Sequence, residues 1–290
     1  MKVAVILVNY NGFLDTVNCI DSLCNSETPL QIIVVDNASR EDEAALINQK
    51  YSNIKTFREN QNFGFAGGNN IGIQWALDNG YEYIALLNND TVIDNKLFSN
   101  LLKWADSNTV VVPYMYYYSE PAFLWYGGGF INRRTGNAEH ILKTQKDETP
   151  FECSFATGCC FLAHRDIWQS VGLLNDSYFM YNEDTEFSIR LLKAHKKIKV
   201  IPSAKLWHKV GKSSGGPLSP ISSYYVTRNR LYLLKSHKDF FSFPAYYFTL
   251  ITRILWAIRM KISGRGKIAK AFVQGIRDSK KGIMGKSSLF

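Results

Sequence analysis

The sequence predicts an α/β fold: a Rossmann-like, mostly parallel central sheet flanked by helices, with a C-terminal helical appendage. Two observations carry that prediction. Strand-length apolar runs (Val3 to Val8, Gln31 to Val35, Tyr83 to Leu87) alternate with helix-length segments through the first half of the chain. Continuous apolar strands separated by helices belong to a parallel sheet covered on both faces. Each run also stops at a polar residue, Asn9, Asp36 or Asn88, and open α/β sheets bind ligands at such strand ends.

The elements follow in order. Lys2 to Asn9 reads as a strand and Phe13 to Cys24 as a helix. Gln31 to Asp36 is a buried strand, followed by a helix opened by Ser39 with acidic residues at 41–43, the first-turn chemistry a helix favours. A short strand at Ile54 to Phe57 precedes the glycine-rich NFGFAGGNN and a helix from about Asn69 to Asp78. Tyr83 to Leu87 is the next strand, and Asp94 to Trp104 a helix. After Val110 to Pro113 the rhythm breaks, and the Tyr-, Gly- and charge-rich 114–150 is expected to cover one side of a site. Ser154 to His164 reads as a strand, followed by Arg165 to Val171, the acidic helix of YNEDTEFSIRLL, and a short strand at Val200 to Pro202. Beyond Tyr224 the chain turns helical, aromatic and finally basic.

At 290 residues with 46% hydrophobic and 14% aromatic content, the chain holds a sizeable core and is neither disordered nor fibrous. Its five cysteines are odd in number and show no CxxC spacing, which argues against a disulfide framework or structural zinc and for a reducing compartment. The six apolar residues from Val3 end at Asn9 and read as a strand, not a secretion signal. The formal charge of +9 sits in the tail: ten Lys or Arg from Arg253 onward face Asp278 alone, leaving 24 basic and 24 acidic residues before them. A nucleic-acid partner would need basic residues around the site itself, so none is expected. Residues 1–235 therefore read as the working domain and 236–290 as a basic, amphipathic membrane-association region.

That last expectation rests on Pro244 to Ser263. The stretch is strongly apolar, with Thr249, Thr252, Arg253, Arg259 and Ser263 near one helical face. Arg253 sits badly in a transmembrane span. A helix in the interface would put apolar residues into lipid and basic ones among anionic headgroups, each worth ~1 kcal/mol. A helix packed on its own domain or on a second subunit, in a homo-oligomer, explains the same pattern.

Five polar clusters carry the chemistry. In LLNNDT, Asn88, Asn89 and Asp90 form a cup, where one carboxylate suffices for a magnesium ion if a diphosphate completes its shell. Asp36 is placed to meet a nucleoside, although Asp36 to Ser39 is also ordinary turn chemistry. Gly64, Gly67 and Gly68 before a helix let backbone N–H groups approach an anion. Glu183 and Asp184 open a helix, where acids complement the dipole and Glu186 can pair with Arg190. The aromatic SYFMYNED lead-in adds a wall that would raise a carboxylate's pKa and make it a better general base. His208 can complete a metal shell, with Lys209 or Lys212 on phosphates and Arg228 and Asn229 as further candidates. A nicotinamide oxidoreductase would need G-x-G-x-x-G after the first strand, where this chain has VNYNG.

With those residues in hand, roughly residues 1–235 resemble glycosyltransferase family 2, an inverting nucleotide-sugar family with the GT-A fold. The resemblance is carried by VNYNG, VVDNAS, NFGFAGGNN, LLNNDT, the stretch ATGCCFLAHRDIWQSVGLLNDSYFMYNEDTEFSIR and WHKVGKSS, in order. The glycine loop and LLNNDT are similar to the rhamnosyltransferase-like branch, whose donor is commonly dTDP-rhamnose. The resemblance implies that Asn9, Tyr10 and Asp36 hold the nucleoside, and that Gly67, Asn69 and Asn70 lie near the ribose and diphosphate. Asn88 to Asp90 take the place of the family's D-x-D motif, with Asp90 as ligand to Mg2+ or Mn2+ and His208 as a second. Asn88 departs from strict D-x-D. Asp184 matches the family's base, with Glu183 beside it. The implied donor is dTDP- or UDP-linked. The implied acceptor is a saccharide, lipid-linked if the tail holds the enzyme on the cytoplasmic face of a membrane. A non-catalytic GT-A-like binding protein at the membrane is the alternative from another class.

Overall fold

The computed structural model describes residues 1–145, 147–210 and 218–289. The chain begins with β1 (Val3–Asn9), α1 (Phe13–Cys24), β2 (Leu30–Asp36), α2 (Glu43–Lys50) and β3 (Lys55–Arg58). Next come α3 (Gly64–Asp78), β4 (Tyr83–Leu87), β5 (Thr91–Ile93), α4 (Leu97–Leu102) and β6 (Thr109–Tyr117). Short strands β7 (Leu124–Tyr126), β8 (Gly129–Ile131), β9 (Ala138–His140) and β10 (Phe151–Cys153) lead to β11 (Cys160–His164) and α5 (Arg165–Val171). The acidic α6 (Glu183–Lys193) and the long β12 (Lys197–His208) follow, and α7 (Pro220–Ser236), α8 (Ala245–Ile262) and α9 (Gly266–Lys281) close the chain.

The central sheet has the order β10-β12-β6-β11-β4-β1-β2-β3. Strands β3, β2, β1 and β4 run parallel, as do β6 and β12, while β11 is antiparallel to both β4 and β6. The carboxyl ends of β1, β4 and β12 and the amino end of β11 therefore meet along one edge. Along β1 and β4 the side chains are buried on both faces, which is why these strands read as unbroken apolar runs.

Several elements depart from the sequence expectation, each for a local reason. The helix expected to open at Ser39 starts at Glu43, because Asp42 caps Ala45 N and Ser39 instead bonds Asn9 and Asn11. Helix α3 begins at Gly64, not Asn69, so the glycine-rich segment is its first turns. The helix expected over 94–104 shrinks to α4, and the strand expected from Ser154 begins at Cys160. Conversely β12 is far longer than Val200 to Pro202, because it pairs with β6, β10 and β5 along its length.

Candidate active site

The strand edge opens into a cleft of about 690 Å³ lined on one side by Tyr10, Asn37, Asn62 and Asn88 to Asp90, and on the other by His140, Gly158, Glu183 and Asp184. Asp90 and Asp184 thus face one space. Asp90 arrives there because β4 runs out at Leu87 and β5 turns back to pair with β12, setting Thr91 opposite His208. Asp184 arrives on the first turn of α6, packed against the loop before β11, with Gly158 N donating to its Oδ2 at 3.1 Å.

The two carboxylates of α6 differ in their surroundings. Asp184 Oδ1 accepts from Thr185 N at 2.7 Å and from its hydroxyl at 3.3 Å, bonds that favour the charged form. Burial outweighs them and raises its pKa above the usual carboxylate range. Glu183 Oε2 is buried with no partner. Burial first, and then the Asp184 charge, push Glu183 up to about 8. Of the pair, Glu183 keeps its proton at neutral pH, while Asp184 holds the Gly158 and Thr185 N–H donors that favour a charged carboxylate.

Asp90 Oδ1 lies 3.1 Å from His208 Nε2 without accepting a hydrogen bond. Ligands at right angles around an ion at about 2.1 Å stand about 3 Å apart. The pair therefore has the spacing of neighbouring metal ligands, and the residues fit a small divalent cation. No cluster of three potential ligands forms among the described residues, so the other positions would fall to phosphate oxygens and water. Trp125 packs edge-on against His208, ring centres 4.6 Å apart, and holds the imidazole in place.

Gly64 brings the opposite walls together. Its φ is +76°, and a Cβ there would stand 2.0 Å from the Phe179 carbonyl oxygen. That carbonyl accepts from Phe65 N at 2.6 Å, which ties α3 to the segment leading into α6. Phe179, Tyr181 and Asn182 in that segment also have positive φ. Such backbone costs about 1–3 kcal/mol per residue and persists where surroundings over-determine it.

Other expected site residues lie behind the wall. Asn9 is fully buried; its amide donates to Glu43 at 2.6 Å, and its oxygen accepts from Thr16, which in turn takes a bond from Asn89. Asp36 does not line the cleft: β3 sets Arg58 in register with it, and the guanidinium closes on its carboxylate. Gly67, Asn69 and Asn70 are also outside the cleft. They lie within α3, where Asn69 bonds Phe65 O and Asn70 spans to Leu174. Asn37 takes over, bridging Asn62, Phe63 and Gly64 at the cleft margin. Lys209 is paired with Asp15 at 2.8 Å, and Lys212 lies outside the described residues.

His140 escaped the sequence reading because 114–150 has no period to place it. Its Nδ1 lies 3.2 Å from Trp125 O, the position of an N–H donor, which leaves Nε2 as an acceptor. Burial lowers its pKa. Arg228 and Asn229 do not face the cleft. Asn229 Nδ2 reaches the carbonyls of Tyr178, Met180 and Tyr181 at 2.8–2.9 Å, and Arg228 donates to Tyr178 O and Gly285 O.

A mostly parallel sheet with antiparallel β11 set between parallel strands, and a carboxylate-lined cleft at its strand ends, defines a glycosyltransferase of the GT-A fold. The chain belongs to glycosyl transferase family 2, whose model matches residues 4–172. It is 25% identical to the dTDP-rhamnosyl transferase RfbF of Shigella flexneri, over 95% of this chain and 96% of that one. Over a shorter stretch, 30% of this chain and 29% of the relative, it is 30% identical to an N-acetylglucosaminyl-diphospho-decaprenol L-rhamnosyltransferase of Mycobacterium tuberculosis. Among solved structures, the fold matches S. aureus TarS 1-349 in complex with UDP-GlcNAc, at a TM-score of 0.58 and 15% identity, covering 97% of this chain and 92% of that one. It also matches GalNAc-T7 with UDP, GalNAc and Mn2+, at a TM-score of 0.66 and 17% identity, covering 81% of this chain and 48% of that one. The family excludes the nicotinamide-oxidoreductase alternative.

Proposed function

We propose that this glycosyltransferase moves rhamnose from dTDP-rhamnose, or otherwise a sugar from a UDP donor, with inversion, to a hydroxyl of a lipid-linked saccharide in surface polysaccharide synthesis. The single observation that carries the proposal is the shared cleft of Asp90 and Asp184. The donor assignment is supported by the rhamnosyltransferase names of two relatives.

Asp90 and His208 would hold Mg2+ or Mn2+, and the bound cation supplies Lewis-acid neutralisation of the departing diphosphate. Tyr10, Asn37 and Asn62 form the wall available to the nucleoside. Asp184 is the base: its carboxylate takes the acceptor hydroxyl proton as the oxygen attacks the anomeric carbon opposite the leaving group. Its partial burial makes that carboxylate more basic, and the Gly158 and Thr185 N–H groups fix its direction. Glu183, protonated, offers a hydrogen bond to the sugar in place of a second repelling charge. His140 Nε2 accepts from a hydroxyl on the acceptor side. Positioning of this kind supplies much of the rate in reactions with oxocarbenium-like character.

Residues 236–290 are proposed to hold the enzyme on the cytoplasmic face of an anionic membrane. No helix of the described residues is long and apolar enough to cross one. Helix α8 instead turns its polar face inward, with Thr249 bonding Thr135 O, and exposes Tyr247, Phe248, Ile251, Ile254, Leu255 and Ile258. Arg253, expected among headgroups, is half-buried against Phe272 of α9.

The test is a panel of nucleotide sugars offered to the purified protein with and without Mn2+, reading thermal shift and transfer to a lipid-linked acceptor. A manganese-dependent shift and transfer from dTDP-rhamnose are expected. No binding of any nucleotide sugar removes the proposal.

A further inference from the structure

The C-terminal helices enclose a constellation that transfer chemistry does not use. Arg230 of α7 and Arg253 of α8 approach the same 135–137 turn, Arg230 through Asn137 and Arg253 one helical turn beyond Thr249, which bonds Thr135 O, and both are half-buried. Arg230 donates to Asn137 Oδ1, but its Nε–H has no partner, and neither has that of Arg253. No ion pair among the described residues joins a carboxylate to either guanidinium. Burial first, and then the neighbouring Arg253, pull Arg230 down to about 9, so it stays a cation at neutral pH. Two half-buried like charges without a carboxylate partner are costly, and guanidinium forks match phosphate oxygens.

The surroundings limit what the anion can be. On one side lies the exposed apolar face of α8. On the other, Asn137 leads directly into β9, whose far end, His140, lines the cleft. Three residues of strand span about 10 Å. The paired cations thus stand between an oily surface and the acceptor side of the active site.

We propose that Arg230 and Arg253 bind the diphosphate of the lipid-linked acceptor, its chain lying on the outer face of α8 and its sugar reaching toward His140 and Asp184. This rests on the lipid-linked acceptor reading above and adds the residues that recognise it.

The test uses the full-length protein, wild type and the variants Arg253→Gln, Arg230→Gln and Arg253→Lys, in EDTA so that the Asp90 site takes up no metal-bound phosphate. Thermal shift with inorganic pyrophosphate is read beside flotation on phosphatidylcholine vesicles carrying either a polyprenyl diphosphate or phosphatidylglycerol. Pyrophosphate should stabilise the wild type. Arg253→Gln should be about as stable as wild type without the anion, since the lost contact with Phe272 is offset by removal of a repelling charge and no hydrogen bond is lost. Each Gln variant should lose about tenfold or more in affinity for pyrophosphate and for polyprenyl-diphosphate vesicles, with Arg253→Lys between. Unchanged binding by both Gln variants overturns the site, as does a stability loss equal with and without pyrophosphate. Equal arginine-dependent binding to phosphatidylglycerol vesicles overturns the acceptor assignment. Donor binding by the wild type, measured separately with nucleotide sugar and Mn2+, decides the glycosyltransferase proposal independently.

Discussion

Asn229 Nδ2 lies 2.8 Å from the carbonyl oxygens of Tyr181 and Met180 and 2.9 Å from that of Tyr178. A helix outside the cleft thereby holds the left-handed backbone that delivers Glu183 and Asp184. Asn229→Ala should cost about 2–3 kcal/mol, the price of orphaned buried carbonyls. Transfer should fall more than donor binding does. Denaturant unfolding and separate kcat and KM measurements check this, and intact kcat would remove the positioning role.

Asp184→Asn keeps the size and most hydrogen bonds of the side chain but cannot take a proton. Transfer should drop by ~10²–10⁴-fold with donor affinity little changed, as measured by single-turnover transfer and donor titration. Weakened donor binding with preserved turnover would move Asp184 to the donor side.

Glu183 gives a stability signature. Its pKa is raised to about 8 in the folded protein, against ~4.3 when unfolded. The folded state holds a proton that the unfolded chain releases between those values. This stability is fully present below the unfolded pKa and is lost as pH rises through about 8. The slope is at most ~1.4 kcal/mol per pH unit. Glu183→Gln should flatten the fall, and urea unfolding from pH 5 to 9 measures it. An unchanged profile would show the proton is not there.

Asp90→Ala and His208→Ala should each weaken donor binding about tenfold or more in Mn2+ and have little effect in EDTA. If the two act on one ion, the double variant loses less than the sum of the singles. Isothermal titration across the four proteins reads the coupling, and strict additivity argues for separate roles.

Gly64→Ala puts a methyl group into the Phe179 carbonyl at a positive φ. The variant should lose several kcal/mol or part α3 from the α6 lead-in. Thermal unfolding with limited proteolysis near Phe179 reports which. Wild-type stability would mean the contact relaxes freely.

Local pattern alone determined the strand–helix alternation. The predicted bounds of α1 and β4 coincide with the observed ones, because burial on both faces leaves strand β4 no polar position except its end. The same polar ends singled out Asp90 and the aromatic lead-in singled out Asp184, and both line one cleft. Tertiary structure decided which polar residues reach ligand space. Asp36 looked available in sequence, yet parallel pairing with β3 brings Arg58 to close on it. Asn229 looked like a phosphate ligand until a distant backbone claimed its amide. His140 and the Arg230–Arg253 pair were invisible, since nothing local distinguishes a histidine in an aperiodic segment or two arginines on separate helices. Hydrophobic period is a property of neighbours along the chain. Convergence, and the burial that goes with it, depends on partners far away in sequence.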